Sequence, residues 1–373
     1  LEFLPYGALQ PGDERWSSLI DEGAARLFSL LCGLDIGPLP VSEYNKRYLS
    51  GYVRKLPYSL QKEAYVLALA VAASGTEPED TVLVDYGGGS GTMSMLARVA
   101  GVRTVVYTDV YDVSCDDASV IASNLGLRAD HYVPGDIDDV GVFLRSEGLD
   151  CNTLVSMNVI EHIHDIDHFL GAVPCLGSGR MGAALYTSAN GANPARKIQL
   201  IREQLIAERR GKKKEWGHKE RDCLEPFLDV RRAMVEKRLS EQGASAGPDA
   251  IDAIGSNTRG MKADGVSASV DAFLSTGTVP PGPRHATNTC DPHTGNWSEH
   301  MMDPWALAAR LREGGLQAEV LPGYYASKSA AVRTVGRPLN LLVRSLRPRL
   351  ALALAPSYIL LASRSSVKGE HSS

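Results

Sequence analysis

The segment Val82-Leu83-Val84-Asp85-Tyr86-Gly87-Gly88-Gly89-Ser90-Gly91 constrains this chain more than any other. An apolar β-branched run ends in a glycine-dense turn, and Thr92 to Val99 continues at helical spacing. Glycine suits such a turn because it accepts positive φ and lets backbone amides approach a ligand closely. An acid, Asp109, closes the next apolar run, Thr104 to Thr108, twenty residues beyond Gly89. A carboxylate there accepts hydrogen bonds from a ribose diol. Strand, turn, helix, strand and acid in that order mark a nucleotide-type cofactor site on an open α/β sheet.

The surroundings extend this pattern. Between Asp80 and Asn190 the runs Thr81 to Tyr86, Thr104 to Asp109, His131 to Val133, Thr153 to Met157 and Ala183 to Thr187 alternate with helical segments, which predicts βαβ units and a mainly parallel sheet. At 373 residues the chain exceeds one ordinary core, so additions to that sheet are expected. Four regions separate: a helical leader or lid (1–75), the cofactor-binding half (76–194), a mostly helical insertion or substrate cap (195–303), and a C-terminal part completing the sheet (304–373). The insertion carries two amphipathic helices within Arg196 to Glu241 and hinges at Gly243 to Pro248 and Thr276 to Pro283. The last region reads as a helix from Pro304 to Glu313, a strand near Ala318 to Leu321, a basic helical stretch and a final strand at Ser357 to Ser363.

A dinucleotide fingerprint places a small residue where this chain has Thr92, so the match to it is poor. The pattern D-x-G-x-G-x-G over Asp85, Gly87, Gly89 and Gly91 instead resembles motif I of the class I S-adenosylmethionine-dependent methyltransferases. A carboxylate near the turn suits a cofactor with an amino acid and a sulfonium cation, and repels a pyrophosphate. Gly135-Asp136-Ile137 and Asn158-Val159-Ile160-Glu161-His162-Ile163 follow the third and fourth strands, as in that family. The resemblance covers 80–190 and 304–364. It implies a Rossmann-like seven-stranded sheet with the last strand antiparallel, and S-adenosyl-L-methionine contacts at Asp85, Gly87, Gly89, Gly91, Asp109, Asp136, Ile137 and Asn158. Relatives often carry an acid where Asn158 stands, so a role needing charge there is in question.

For catalysis the candidates are His162, His293 and His300. His162 belongs to the cluster Glu161, His162, His164, Asp165, Asp167, His168, whose spacing fits no compact tetrahedral zinc set, so no metal is expected. The other two lie in the turn-rich segment His285 to His300, where Asp291 and Trp297 are substrate-binding candidates and Asx turns give a purely structural alternative. Tyr48 and Tyr52, at helical spacing with Tyr44, are substrate-binding candidates as a lid over the cofactor, with packing against the core as the structural alternative.

Charge and cysteine usage bound the partners. The net charge of -5 gives no whole-chain basic field, and Arg209 to Lys214 has few aromatics nearby for base stacking, so no nucleic-acid partner is expected. From Val320 to Gly369 there are eight Lys or Arg (Lys328, Arg333, Arg337, Arg344, Arg347, Arg349, Arg364, Lys368) and no acid, which leaves -13 on the rest. With Leu339, Leu341, Leu342 and Leu346 interleaved, this segment offers a weak membrane-surface contact or an ordinary amphipathic helix. The six cysteines lack a C-x-x-C pair, no uncharged run spans a bilayer, and no charged-then-apolar leader precedes the domain, so a cytoplasmic protein with reduced thiols is expected. The expected activity is methyl transfer by in-line displacement to a small-molecule nucleophile. An NAD-dependent oxidoreductase and a non-catalytic membrane-surface or binding protein on the same fold are the alternatives. The oligomeric state is not legible.

Overall fold

The computed structural model describes residues 3–4, 14–211, 223–283, 285, 287–326 and 330–364. Lys212 to Lys214, Lys328 and Lys368, and the side chains of Arg333 and Arg337, lie outside the described residues. Two compact units are present: residues 1–160, 165–190 and 303–373 form the first, and 161–164 with 191–302 form the second.

The first unit is built on seven strands, β1 (Val82–Tyr86), β2 (Thr104–Asp109), β3 (His131–Pro134), β4 (Thr153–Met157), β5 (Met181–Thr187), β6 (Gln317–Pro322) and β7 (Tyr358–Arg364). They form one sheet in the order β3-β2-β1-β4-β5-β7-β6. All pairings are parallel except those of β7, which runs antiparallel to both β5 and β6. This is the sheet implied by the sequence resemblance. Every residue of β1 and β5 is buried, as expected for central strands covered on both faces. The strand order reverses between β1 and β4, the position where open α/β sheets hold ligands at their carboxyl edge.

The leader is not a separate lid. It folds as α1 (Glu14–Cys32), α2 (Glu43–Val53) and α3 (Leu56–Ser74), and α3 packs on β5, β4 and β7 while α1 packs on α3 and on α4 (Thr92–Val99). Leu27, Leu31, Leu60, Leu67, Met95 and Leu96 share one core cluster and are fully covered. Leucine and alanine supply the helix propensity of α3, Pro57 opens it, and Gly75 at φ 61° ends it. Its close approach to the sheet depends on Gly182, where an added Cβ would lie 2.2 Å from Ala70 O and 2.3 Å from Ser74 N.

The remaining helices of this unit are α5 (Asp112–Asn124), α6 (Ile137–Ser146), α7 (Ile166–Ala172), α12 (Pro304–Glu313), α13 (Ala330–Ser345) and α14 (Pro348–Leu354). On the last two, Leu341, Leu342, Leu350 and Leu354 are exposed hydrophobics among exposed Arg344, Arg347 and Arg349. Among the described residues no helix is long and apolar enough to cross a membrane.

The second unit contains α8 (Pro194–Arg210), α9 (Phe227–Glu241), α10 (Pro248–Asn257) and α11 (Ala263–Thr276). The first two are the expected amphipathic helices. The other pair lies between the expected hinges, which survive as turns at Gly243 (φ 63°) and Gly277 (φ 68°). Val235, Leu239, Ile254, Val266 and Val270 give this unit its own core. Fully buried Arg231 donates to Glu208 (2.5 Å) and to Gly255 O (2.9 Å), and Thr289 also bonds Glu208 (2.7 Å), which ties α9 to α8 and to the loop beyond α11.

Candidate functional site

The glycine turn after β1 is built by positive φ at Gly87 (72°), Gly89 (55°) and Gly91 (77°). Gly88 is as constrained by space: a Cβ there would sit 2.4 Å from the Tyr107 ring and 2.8 Å from Asp85 Oδ2. Gly89, by contrast, faces open space, with Tyr48 Cε1 at 3.9 Å from its Cβ position as the nearest atom. Room therefore exists above the turn, and Tyr48 stands beside it, half exposed and stacked on Tyr44 with centroids 6.4 Å apart.

The acids divide by role. Asp109, at the end of β2, accepts from Gly89 N (3.2 Å) through Oδ2 and from Tyr111 N (3.1 Å) through Oδ1, and each oxygen retains a second lone pair. Asp85 was expected to face the cofactor, yet it is 2% exposed and accepts from Ser94 N (3.0 Å) and Ser94 Oγ (2.7 Å). It pins β1 to the first turn of α4. Ile137 was expected against the adenine but is 3% exposed, so its side chain is covered by the protein itself. Exposed Asp136 caps α6, accepting from Asp138 N and Asp139 N in a capping box. Asn158 adopts φ 55° after β4, a conformation that asparagine tolerates better than most side chains, and its Oδ1 accepts from Ser188 N (3.0 Å). That geometry accounts for an amide at this position without invoking charge.

Several site residues carry no sequence signal. Glu63 on α3 is buried and accepts from Thr92 Oγ1 (2.7 Å) at the start of α4 and from Tyr52 OH (2.8 Å). Tyr52 is thus turned toward Glu63 and is not an open lid residue. Burial pushes the Glu63 carboxyl up to about 7 against the opposing hydrogen bonds from Thr92 and Tyr52, and burial likewise pushes Asp85 up to about 7. Beside Glu63 in sequence, Lys62 points elsewhere. Its Nζ lies 4.8 Å from the ring centroids of both Tyr58 and Tyr186, the latter at the carboxyl end of β5. Burial opposes its charge, but the Tyr186 and Tyr58 side chains, by charge attraction first and hydrogen bonding second, outweigh that and push its pKa up to about 12.

A carboxyl whose folded pKa is raised binds its proton more tightly in the folded chain, so stability falls as pH rises from about 4.5 to about 7 for Glu63. Glu63→Gln removes that contribution. In urea unfolding, the variant should gain about 1 to 3 kcal/mol relative to the natural chain on going from pH 5 to pH 8. Parallel pH curves for the two proteins would mean that Glu63 does not titrate in this window.

In the second unit, residues 161–164 meet the segment before α12. Trp297 N donates to His162 O (3.1 Å), His300 N donates to Glu161 O (3.1 Å), and Asp291 N donates to Asn296 O (2.9 Å). The Trp297 ring lies stacked between His164 (5.6 Å) and His300 (4.2 Å). His162 Nδ1 is 2.8 Å from Trp297 O. A carbonyl only accepts, so Nδ1 carries the proton and Nε2 is the basic nitrogen of neutral His162. Burial, with His285 and His164 nearby, pushes His300 down to about 4. It is therefore a neutral stacking partner at physiological pH.

Asp291 was expected to bind substrate, but it is fully buried and its carboxylate accepts from Cys223 N (2.7 Å), His293 N (2.9 Å) and Thr294 N (3.2 Å). It holds the loop together, which is the Asx-turn alternative. His293 is exposed and lines a groove of about 620 Å³ with Met234, Lys237 and Ser267. His168 pairs with Asp138 at 2.8 Å on the first unit. Among the described residues no group of three or more His, Cys, Asp or Glu is arranged to hold a metal ion.

No protein-family model matches the chain, and no curated protein matches it. Among solved structures, similarity extends to a Galdieria sulphuraria protein assigned as a sarcosine dimethylglycine methyltransferase (12% identity, 93% of this chain and 99% of that one, TM-score 0.38). The CurJ carbon methyltransferase is similar at 13% identity over 95% of this chain and 68% of that one, TM-score 0.38. An S-adenosylmethionine-dependent methyltransferase from Mesorhizobium loti follows at 15% identity over 80% of this chain and 97% of that one, TM-score 0.36.

Proposed function

We propose that this chain is an S-adenosylmethionine-dependent methyltransferase acting on a small molecule. The observation that carries the reading is the electrostatic character of the α4 N-terminus. A pyrophosphate site needs free amides and a positive field there. Here Asp85 accepts from Ser94 N, Glu63 bonds Thr92, and both carboxylates are buried beside the turn. These acids lie beneath the turn, and Asp85 occupies the Ser94 amide that a pyrophosphate would use, which favours a cofactor without phosphates and counts against the oxidoreductase alternative.

The residues divide the work as follows. The open face of Gly89 admits the cofactor, Asp109 takes the ribose hydroxyls, and Asp136 and Asn158 flank the bound nucleoside and amino acid. S-adenosylmethionine supplies an activated methyl group for in-line displacement. The chain supplies alignment and water exclusion, which contribute about 7 to 11 kcal/mol when geometry is well held. Tyr48, beside the glycine turn, is the substrate-side surface we assign on this unit.

Calorimetry tests the reading. S-adenosylmethionine and S-adenosylhomocysteine should bind at micromolar concentration, and NAD and NADP should not. Absence of binding by either sulfur cofactor sinks the proposal. A second reading, peripheral contact with an anionic membrane, is favoured by the exposed leucines and arginines of α13 and α14. Phosphatidylglycerol vesicles should carry the protein on flotation at low salt and release it at high salt. Failure to float at low salt removes that reading and leaves the enzymatic one untouched.

A further inference from the structure

Lys62 is a partly buried cation that forms no ion pair with a carboxylate among the described residues. Its neighbours are the side chains of Tyr58 and Tyr186, which favour its charged form. The adjacent acid feels its charge but makes its hydrogen bonds elsewhere. Residues i and i+1 of a helix point about a quarter-turn apart, and the Glu63 carboxylate is engaged by Thr92 and Tyr52. An ammonium held charged at a half-buried position is a ready partner for an anion that reaches it from solvent.

Position identifies which anion. Tyr186 is the penultimate residue of β5, and its carbonyl accepts from Asn158 N (2.8 Å), so Lys62 stands at the carboxyl edge of the sheet beside a residue assigned to the cofactor. In the order β1-β4-β5, this end is two strands from the glycine turn, about 10 Å at ordinary strand spacing. Glu63 bonds Thr92 at the turn, whereas Lys62 lies against Tyr58 and Tyr186, near enough to Tyr48 for its charge to act there. We propose that Lys62, Tyr58 and Tyr186 form an anion subsite for the methyl acceptor, and that the acceptor is a carboxylate-bearing small molecule. The subsite rests on the methyltransferase reading for its role, though not for its existence. Lys62 gives the charge, and the two phenols hold the ammonium at the strand end with a donor left for the incoming carboxylate.

The test uses the full chain labelled with carbon-13 at lysine Cε, saturated with S-adenosylhomocysteine and titrated with acetate, benzoate and neutral benzamide. The Lys62 signal is identified by its absence in Lys62→Gln, or in Lys62→Arg if the glutamine variant fails to fold. At least one carboxylate should shift that signal saturably while benzamide does not. Lys62→Gln should lose about tenfold or more in carboxylate affinity and keep S-adenosylhomocysteine affinity within about twofold. No carboxylate-specific shift overturns the subsite. A signal that moves on adding S-adenosylhomocysteine alone, with a matching loss of its affinity in the variant, gives the lysine to the cofactor's own carboxylate and overturns the acceptor assignment. Failure of S-adenosylhomocysteine to bind the natural chain counts against the methyltransferase reading instead, and the same titration without cofactor still reads the anion subsite.

Discussion

Replacing Asp109 with alanine weakens S-adenosylhomocysteine binding by about 10- to 150-fold, the equivalent of about 1.5 to 3 kcal/mol for hydrogen bonds to a charged group. The size follows from a double function. Its carboxylate takes the ribose hydroxyls in our reading, and it also fixes Gly89 N and Tyr111 N, so its removal loosens the turn on which the ligand rests. Asp109→Asn should be nearly as poor. Two backbone amides converge on the two oxygens, and an amide side chain can face only one of them with an acceptor. Calorimetry on both variants, with circular dichroism to establish folding, makes the measurement. Unchanged affinity in the alanine variant would mean that the ribose lies elsewhere.

Gly182→Ala should lower the thermal unfolding midpoint by about 1 to 6 °C, from an overpacking cost of about 1 to 3 kcal/mol. The added methyl has no flexible neighbour to displace, because Ala70 O and Ser74 N are backbone atoms of α3 and its end. Relief requires α3 to lift from β5. That movement would also carry Lys62 and Glu63 away from Tyr186 and Thr92, so cofactor binding should weaken together with stability. A melting curve matching the natural protein would show that α3 is not seated on β5 through this contact.

The elements of the first unit were legible because their signals are local. Apolar runs of five or six residues, glycines at one turn and an acid twenty residues on are all read within short windows, and the strand ends fall close to where patterning puts them. In the leader the helices were legible, but whether they form a lid or a layer of the core was open. Tyr44, Tyr48 and Tyr52 show helical spacing on their own, but spacing does not say what a helix packs on, and α3 is a layer of the core. In the insertion, α10 and α11 are short and rich in Ala, Ser, Gly and Asp, so hinges were easier to read there than helices.

The candidate site shows the same boundary. By itself, the sequence determined that residues 82–109 make a strand, a glycine turn, a helix and a strand ending in an acid, since each step is dictated by residues next to one another. Only the tertiary structure gives Asp85 and Asp291 the backbone donors they accept from, because those donors become neighbours only when the chain is folded. The same holds for Glu63 on Thr92, across 29 residues, and for His162 on Trp297, across 135. Contacts at those separations leave no periodic trace, and the charge a ligand meets at the carboxyl edge is set by them.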